Sequence, residues 1–95
     1  MGRVYRTKES NFRNLFKKKN PITILDIGIG NARIAKHLSG IPEMWSMVES
    51  YDGTDNAKIC VNISRQVAID LKIDEKVKVY FLDALNLNQL EKHYD

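Results

Sequence analysis

The stretch ITILDIGIGNARIAKHL, Ile22 to Leu38, decides the fold. Ile22 to Ile27 is apolar on both faces, with Thr23 the only polar residue before Asp26. A strand of that composition belongs in the interior of a parallel sheet covered by helices on both sides. Gly28 and Gly30 follow, and bare backbone at that point allows a sharp turn and close approach to a ligand. Asn31 is a good N-cap for a helix with Ile34, Ala35 and Leu38 on its buried side. Gly40 and Pro42 end that helix.

Working outward, the chain alternates helices with short apolar strands. Upstream, Phe12, Leu15 and Phe16 share one face of a helix expected over Lys8–Lys18, which Asn20-Pro21 stops. Downstream, EMWSMVES adds a short helical turn, with Trp45 and Val48 read as core residues. SYDGTD, Ser50–Asp55, is a short second strand. A longer helix is expected from Asn56 to Lys72, where Ile59, Ile63, Val67 and Leu71 recur every four residues with Ala68 beside them. KVKVYFLDA is a third strand, in which Val77, Val79 and Phe81 alternate with Lys78 and Tyr80. NLNQLEKHYD begins as a loop or short helix. The pattern predicts parallel strands joined by right-handed crossovers, the first half of a doubly wound α/β fold. The chain is expected to be a single partial domain, 1–95, with residues 1–21 an N-terminal helix and lead-in and 22–95 a βαβαβ unit.

Composition sets the outer bounds. Ninety-five residues make one domain with 43% apolar and 28% charged residues, as in soluble globular proteins. No apolar run reaches the roughly 18–20 residues that cross a bilayer, and the N-terminus lacks the apolar stretch of a secretory signal. The single cysteine, Cys60, allows no internal disulfide and reads as a small buried helix residue. These features predict a cytoplasmic chain with no membrane contact. The net charge of +3 includes the run in RNLFKKKN, which reads as a solvated helix end. His37 and His93 have no cysteine or acidic ligand pattern around them, so no metal site is expected.

Ligands of such folds sit at the carboxyl ends of the strands. The three strands end near Asp26, Asp55 and Asp83, one aspartate at each. The glycine turn alone is compatible with a dinucleotide, a mononucleotide or S-adenosylmethionine. A dinucleotide fingerprint asks for Gly or Ala where Arg33 stands, and the phosphate-loop pattern is absent. Asp26 also opposes a pyrophosphate: like charges about 4 Å apart cost roughly 1 kcal/mol in water and nearer 4 at an effective dielectric of 20. S-adenosylmethionine reverses that sign, because it carries an ammonium and a sulfonium and no phosphate. Each aspartate also has a plainer role available. Asp26 can cap its turn, Asp55 can cap the helix after it, and Asp83 can sit solvated in a loop.

ILDIGIGNARIAKHL, YDGTDNAKICVNISRQVA and VKVYFLDAL, in that order, resemble the first three motifs of class I S-adenosylmethionine-dependent methyltransferases. The resemblance covers Ile22 to Leu85 and implies a Rossmann-like three-layer sandwich. It further implies that Asp26, Gly28, Gly30 and Asn31 form the pocket for the methionine part of S-adenosyl-L-methionine. Asp55 would take the ribose hydroxyls with Asn56 beside the adenine, and Asp83 with Ala84 would read the adenine edge. Ala32 departs from the pattern, since many members have a third glycine there.

The family's fourth strand follows the third motif and would begin at HYD, His93–Asp95, lying beside the first. The chain therefore reads as the cofactor-binding half of a methyltransferase, a truncation or a fragment. Without that strand, residues 22–27 lie on an open apolar edge that invites self-association or a partner chain. No general base is identified, and the methyl acceptor is a small molecule, a nucleic acid or a protein. An NAD-binding module and a non-catalytic interaction half-domain are the competing expectations.

Overall fold

The computed structural model describes residues 21–90, so the expected Lys8–Lys18 helix, His93 and Tyr94-Asp95 lie outside the described residues. The elements are β1 (Ile22–Ile27), α1 (Arg33–Ser39), α2 (Pro42–Trp45), β2 (Val48–Asp55), α3 (Lys58–Asp70) and β3 (Val77–Phe81). A 3₁₀ segment, Ala84–Leu90, follows. All pairing is parallel, and the sheet order is β1-β2-β3. This is a small α/β domain with a three-stranded parallel sheet.

β1 has the bounds expected of it, whereas β2 begins two residues early, at Val48. Register explains the extension. Val48 pairs with Ile22 before an irregularity between Ile22 and Thr23, and it is buried there as a core residue. Ile24 pairs with Tyr51 and Asp26 with Gly53, while Tyr51 pairs with Val77 and Gly53 with Val79. Paired residues share a face in a parallel sheet. That face supplies Ile24, Tyr51, Val77 and Val79 to a core completed by Ala35 and Leu38 of α1 and Val61 and Ala68 of α3. The described residues therefore make two layers, and the third layer of the expected sandwich is not among them.

The buried face of α3 is not the expected one. Ile59 is 69% exposed and Ile63 44%, while Val61, Ser64 and Ala68 are buried. At 3.6 residues per turn, Val61, Ser64 and Ala68 lie roughly 140–200° around the helix from Ile59. Ile59 and Ile63 therefore start on the side away from the sheet, and the spacing of four drifts only about 40° per step, too slowly to bring the series onto the buried face before the helix ends. The helix is also shorter than expected, because Lys72 adopts a left-handed φ of 60° just past its end. The Ile73 amide donates to the Ala68 carbonyl and the Lys72 amide to that of Ile69. This is a Schellman stop with lysine in the place glycine usually takes, so composition gave no sign of it.

The helix from Arg33 ends at Ser39 as expected, although Gly40 there has an ordinary right-handed conformation. Pro42 opens α2 as its first residue. Half-buried Trp45 packs against the core and meets the ring of Tyr51 at 6.4 Å between centroids.

The sheet has two dissimilar margins. The Tyr51 amide bonds the Lys76 carbonyl and the Leu82 amide bonds the Asp55 carbonyl, so the Val79 carbonyl faces outward from β3. Arg65 covers it, donating from Nε at 3.1 Å and Nη2 at 2.7 Å. β1 forms the other margin among the described residues, apolar and pairing only with β2. None of the described helices is long and apolar enough to cross a membrane. No group of three or more His, Cys, Asp or Glu side chains among the described residues is placed to hold a metal ion.

Candidate ligand-binding site

The chain leaves β1 through a loop that needs left-handed backbone three times, at Gly28 (φ 73°), Gly30 (φ 60°) and Ala32 (φ 62°). Glycine takes this conformation freely, whereas an L-residue loses about 1–2 kcal/mol. Ala32 recovers part of that by burying its methyl group, worth about 0.8 kcal/mol. Ala32, not Asn31, is the N-cap of α1, and it has no side-chain capping bond. Asn31 is exposed, so its expected capping role is corrected. A Cβ atom added at Gly30 would meet nothing within 4 Å, so this peptide opens onto free space.

The loop is held against β2. The amides of Gly28 and Ile29 both donate to the Thr54 carbonyl, at 2.7 and 2.9 Å. The Ile29 side chain is buried over Gly53, where an added Cβ would lie 2.2 Å from Ile29 Cδ1 and 3.0 Å from its Cβ. Gly53 weakens β2 by strand propensity, but it alone leaves room for Ile29.

Asp26 lies beneath the loop, only 2% exposed. Tyr51, wholly buried on β2, donates its hydroxyl to Asp26 Oδ2 at 2.6 Å. A buried carboxylate needs such donors, because desolvation otherwise penalises its charge. The same surroundings push the Tyr51 pKa well above its ordinary 10.0. Burial is the main cause, followed by the Asp26 charge and the hydrogen bond itself.

Asp55 ends β2 and serves both sides of the site. Its Oδ2 accepts from the Gly30 amide at 3.1 Å and its Oδ1 from the Ala57 amide at 2.9 Å. The N-cap of α3 is Ala57, so Asp55 acts in the turn before the helix rather than as the cap. Gly30 is gripped from the other side by Ser64, whose buried hydroxyl donates to the Gly30 carbonyl. Asn56, next in the chain, is exposed.

Asp83 differs. It is exposed, and its Oδ1 accepts from the Leu85 amide at 3.1 Å while its carbonyl accepts from Asn86 at 2.9 Å. Its carboxylate shapes its own turn. Ala84 opens the 3₁₀ segment.

Asp26, Gly28 and Asn31 line one cleft of about 310 Å³, together with Ile29, Arg33 and Ile34. Gly30 and Asp55 meet each other through the Gly30 amide, and neither they nor Asn56 and Asp83 are among its lining residues. Three contributors escaped the sequence. Tyr51 and Ser64 lie within the second quoted stretch but had no role read from it, and only a tertiary contact gives them one. Arg33 was weighed solely as a bulky obstacle to helix packing. It is in fact exposed, and the close packing is done by Ala32 and Ala35, so the steric objection to a dinucleotide lapses while the electrostatic one stands. A scan of protein-family models and searches of curated proteins and of solved structures found no match to this chain.

Proposed function

We propose that this chain is the S-adenosyl-L-methionine-binding part of a class I methyltransferase with a Rossmann-like fold. The observation that carries the reading is the Gly30 amide, which donates to the Asp55 carboxylate instead of standing ready for a phosphate. Carboxylates flank the glycine loop on both sides, Asp26 below it and Asp55 beside it. A pyrophosphate there brings only like charge to the two aspartates, whereas S-adenosylmethionine sets an ammonium and a sulfonium against its single carboxylate. The residues fit such a ligand. Free space lies over Gly30, a cleft adjoins Asp26, and Asp55 keeps lone pairs for ribose hydroxyls beyond its two backbone bonds.

In this reading Asp55 orients the ribose, the bare backbone of Gly28 and Gly30 admits the ligand closely, and Asp26 and Asn31 face its methionine end. Asn56 stands beside the adenine, with Asp83 and Ala84 at its edge. When bound, S-adenosylmethionine supplies a sulfonium methyl group for in-line transfer to an acceptor nucleophile. The residues named here contribute position and orientation, the main source of rate in such a transfer.

Thermal unfolding of the chain with S-adenosylhomocysteine, and separately with NAD, tests the proposal. A ligand at about 100 times its dissociation constant adds roughly 2.7 kcal/mol of stability. The expected result is a rise with S-adenosylhomocysteine only, and loss of that ligand-induced rise in Asp55→Ala. A rise with NAD alone would transfer the site to a dinucleotide.

A further inference from the structure

Among the described residues β3 pairs with β2 alone, so its other side is a sheet edge. The Lys76 carbonyl and the Leu82 amide turn toward β2. Peptide groups alternate along a parallel ladder, so those of Val77, Val79 and Phe81 turn outward. Such an edge is a template for pairing with another strand. Its middle acceptor is already covered, because Arg65 donates to the Val79 carbonyl from both Nε and Nη2. Arg65 is exposed, so this cover can lift without opening the core. Between α3 and the edge, Ala68, Ile69 and Val77 wall a cleft of about 380 Å³ that Arg65 also borders. At the far end of the same strand, Phe81 is 59% exposed.

We propose that the outer edge of β3 is a pairing surface for a second copy of this chain, antiparallel about Val79, and that Arg65 holds it shut. A two-fold axis at Val79 pairs all five residues of the strand. It sets Val79 against Val79, Lys78 against Tyr80 and Val77 against Phe81. An axis at Lys78 instead opposes two lysines and calls on the Val77 amide, which already donates to the Ile73 carbonyl at 3.0 Å. Opposed residues share a face, so the exposed Phe81 of each copy arrives beside Val77 of the other, where Ala68 and Ile69 wall the cleft. Ring and cleft lie on one edge and the axis brings each to the other, which makes the surface self-complementary. At the axis each Val79 amide donates to the Val79 carbonyl of the second copy. That carbonyl is the acceptor Arg65 occupies, so pairing requires Arg65 to leave. The proposal does not depend on what binds at the glycine loop.

Sedimentation velocity of the full chain, over a concentration series, tests this together with amide hydrogen exchange. Arg65→Ala should dimerise at least about tenfold more tightly than the wild type, the scale of one or two backbone hydrogen bonds. Its Val79 and Phe81 amides should exchange more slowly as concentration rises. Arg65→Lys keeps a donor without the planar fork and should fall between the two. Adding Val79→Pro to Arg65→Ala should restore wild-type behaviour, because proline lacks the donor at the axis. The ladder to β2 keeps its bonds, since the Val79 amide points outward. Phe81→Ser on the same background should weaken the dimer as well. An unfolding midpoint in dilute solution shows that each variant folds, and Arg65→Lys carries the test if Arg65→Ala does not. Association no tighter than wild type in the folded Arg65 variants overturns the proposal. So does a gain that survives both Val79→Pro and Phe81→Ser, which would place the contact on another surface.

Discussion

Asp55, the last residue of β2, and Asp83, two residues past β3, lie at the same end of the sheet, and the Leu82-to-Asp55 backbone bond ties their segments together. Asp55 reaches across to the loop after β1, and its carboxylate links the Gly30 and Ala57 amides. Asp83 bonds the amide two residues ahead of it and stays exposed. The difference lies in the neighbours. Beside Asp55 the glycine loop brings bare amides within reach, and Ser64, Thr54 and Ile29 fix that loop from three directions. No such loop faces Asp83 among the described residues. Two aspartates in equivalent chain positions thus belong to different structures, one to a tertiary network and the other to a local turn.

Prying the anchored side apart is the most damaging way to probe the contrast. Gly53→Ala forces a methyl group against Ile29 and should cost about 2–3 kcal/mol in denaturant unfolding, the range for overpacked cores. In the Gly53→Ala/Ile29→Ala double variant the loss should fall short of the sum of the singles, since the clash is gone. Additive losses would mean that Ile29 does not hold the loop to β2.

Tyr51→Phe leaves Asp26 short of a donor and should cost about 2 kcal/mol, the scale of a hydrogen bond to a buried charge. It has a pH signature as well. The folded Tyr51 holds its proton above 10.0, where the unfolded tyrosine releases it. Folded chains then bind more protons than unfolded ones, so this contribution is complete below pH 10 and falls as pH rises beyond it. The phenylalanine variant should lose that alkaline slope. A slope unchanged by the substitution would assign it to another group.

Asp55→Ala strands two amides and should cost about 1.5 kcal/mol. Asp83→Ala should stay within about 0.5 kcal/mol, as exposed turn positions do. Measured side by side, the pair sharpens the comparison. Equal losses would erase it.

Much of the fold was legible because it rests on local signals. The apolar run Ile22–Ile27 could only be an interior-type strand, and the glycines after it could only be a turn, so β1 and its loop emerged with correct bounds. Asp26 and Asp55 stood out as acids at strand ends, a property of chain order, and the structure places Asp26 in the cleft lining and Asp55 on the Gly30 amide. The α3 face was misread because spacing of four was taken as a stripe. Ser64 looks solvent-seeking on any hydropathy scale, yet it is buried because the Gly30 carbonyl satisfies its hydroxyl. A polar residue can mark the buried face once its partner is near, and the partner lies 34 residues away.

The sequence by itself determined the order of strands and helices, the flexible points of the loop and the placing of an acid at or near the end of each strand. These depend on propensity, periodicity and backbone sterics, all of which act within a few residues. Only the tertiary structure decided that Tyr51 serves Asp26, that Gly53 makes room for Ile29, that Ser64 and Asp55 share the Gly30 peptide, and that Arg33 borders the same cleft as Asp26. Each of those is a meeting of segments far apart in the chain. Distance and burial set its energy, and neither exists until the sheet has formed.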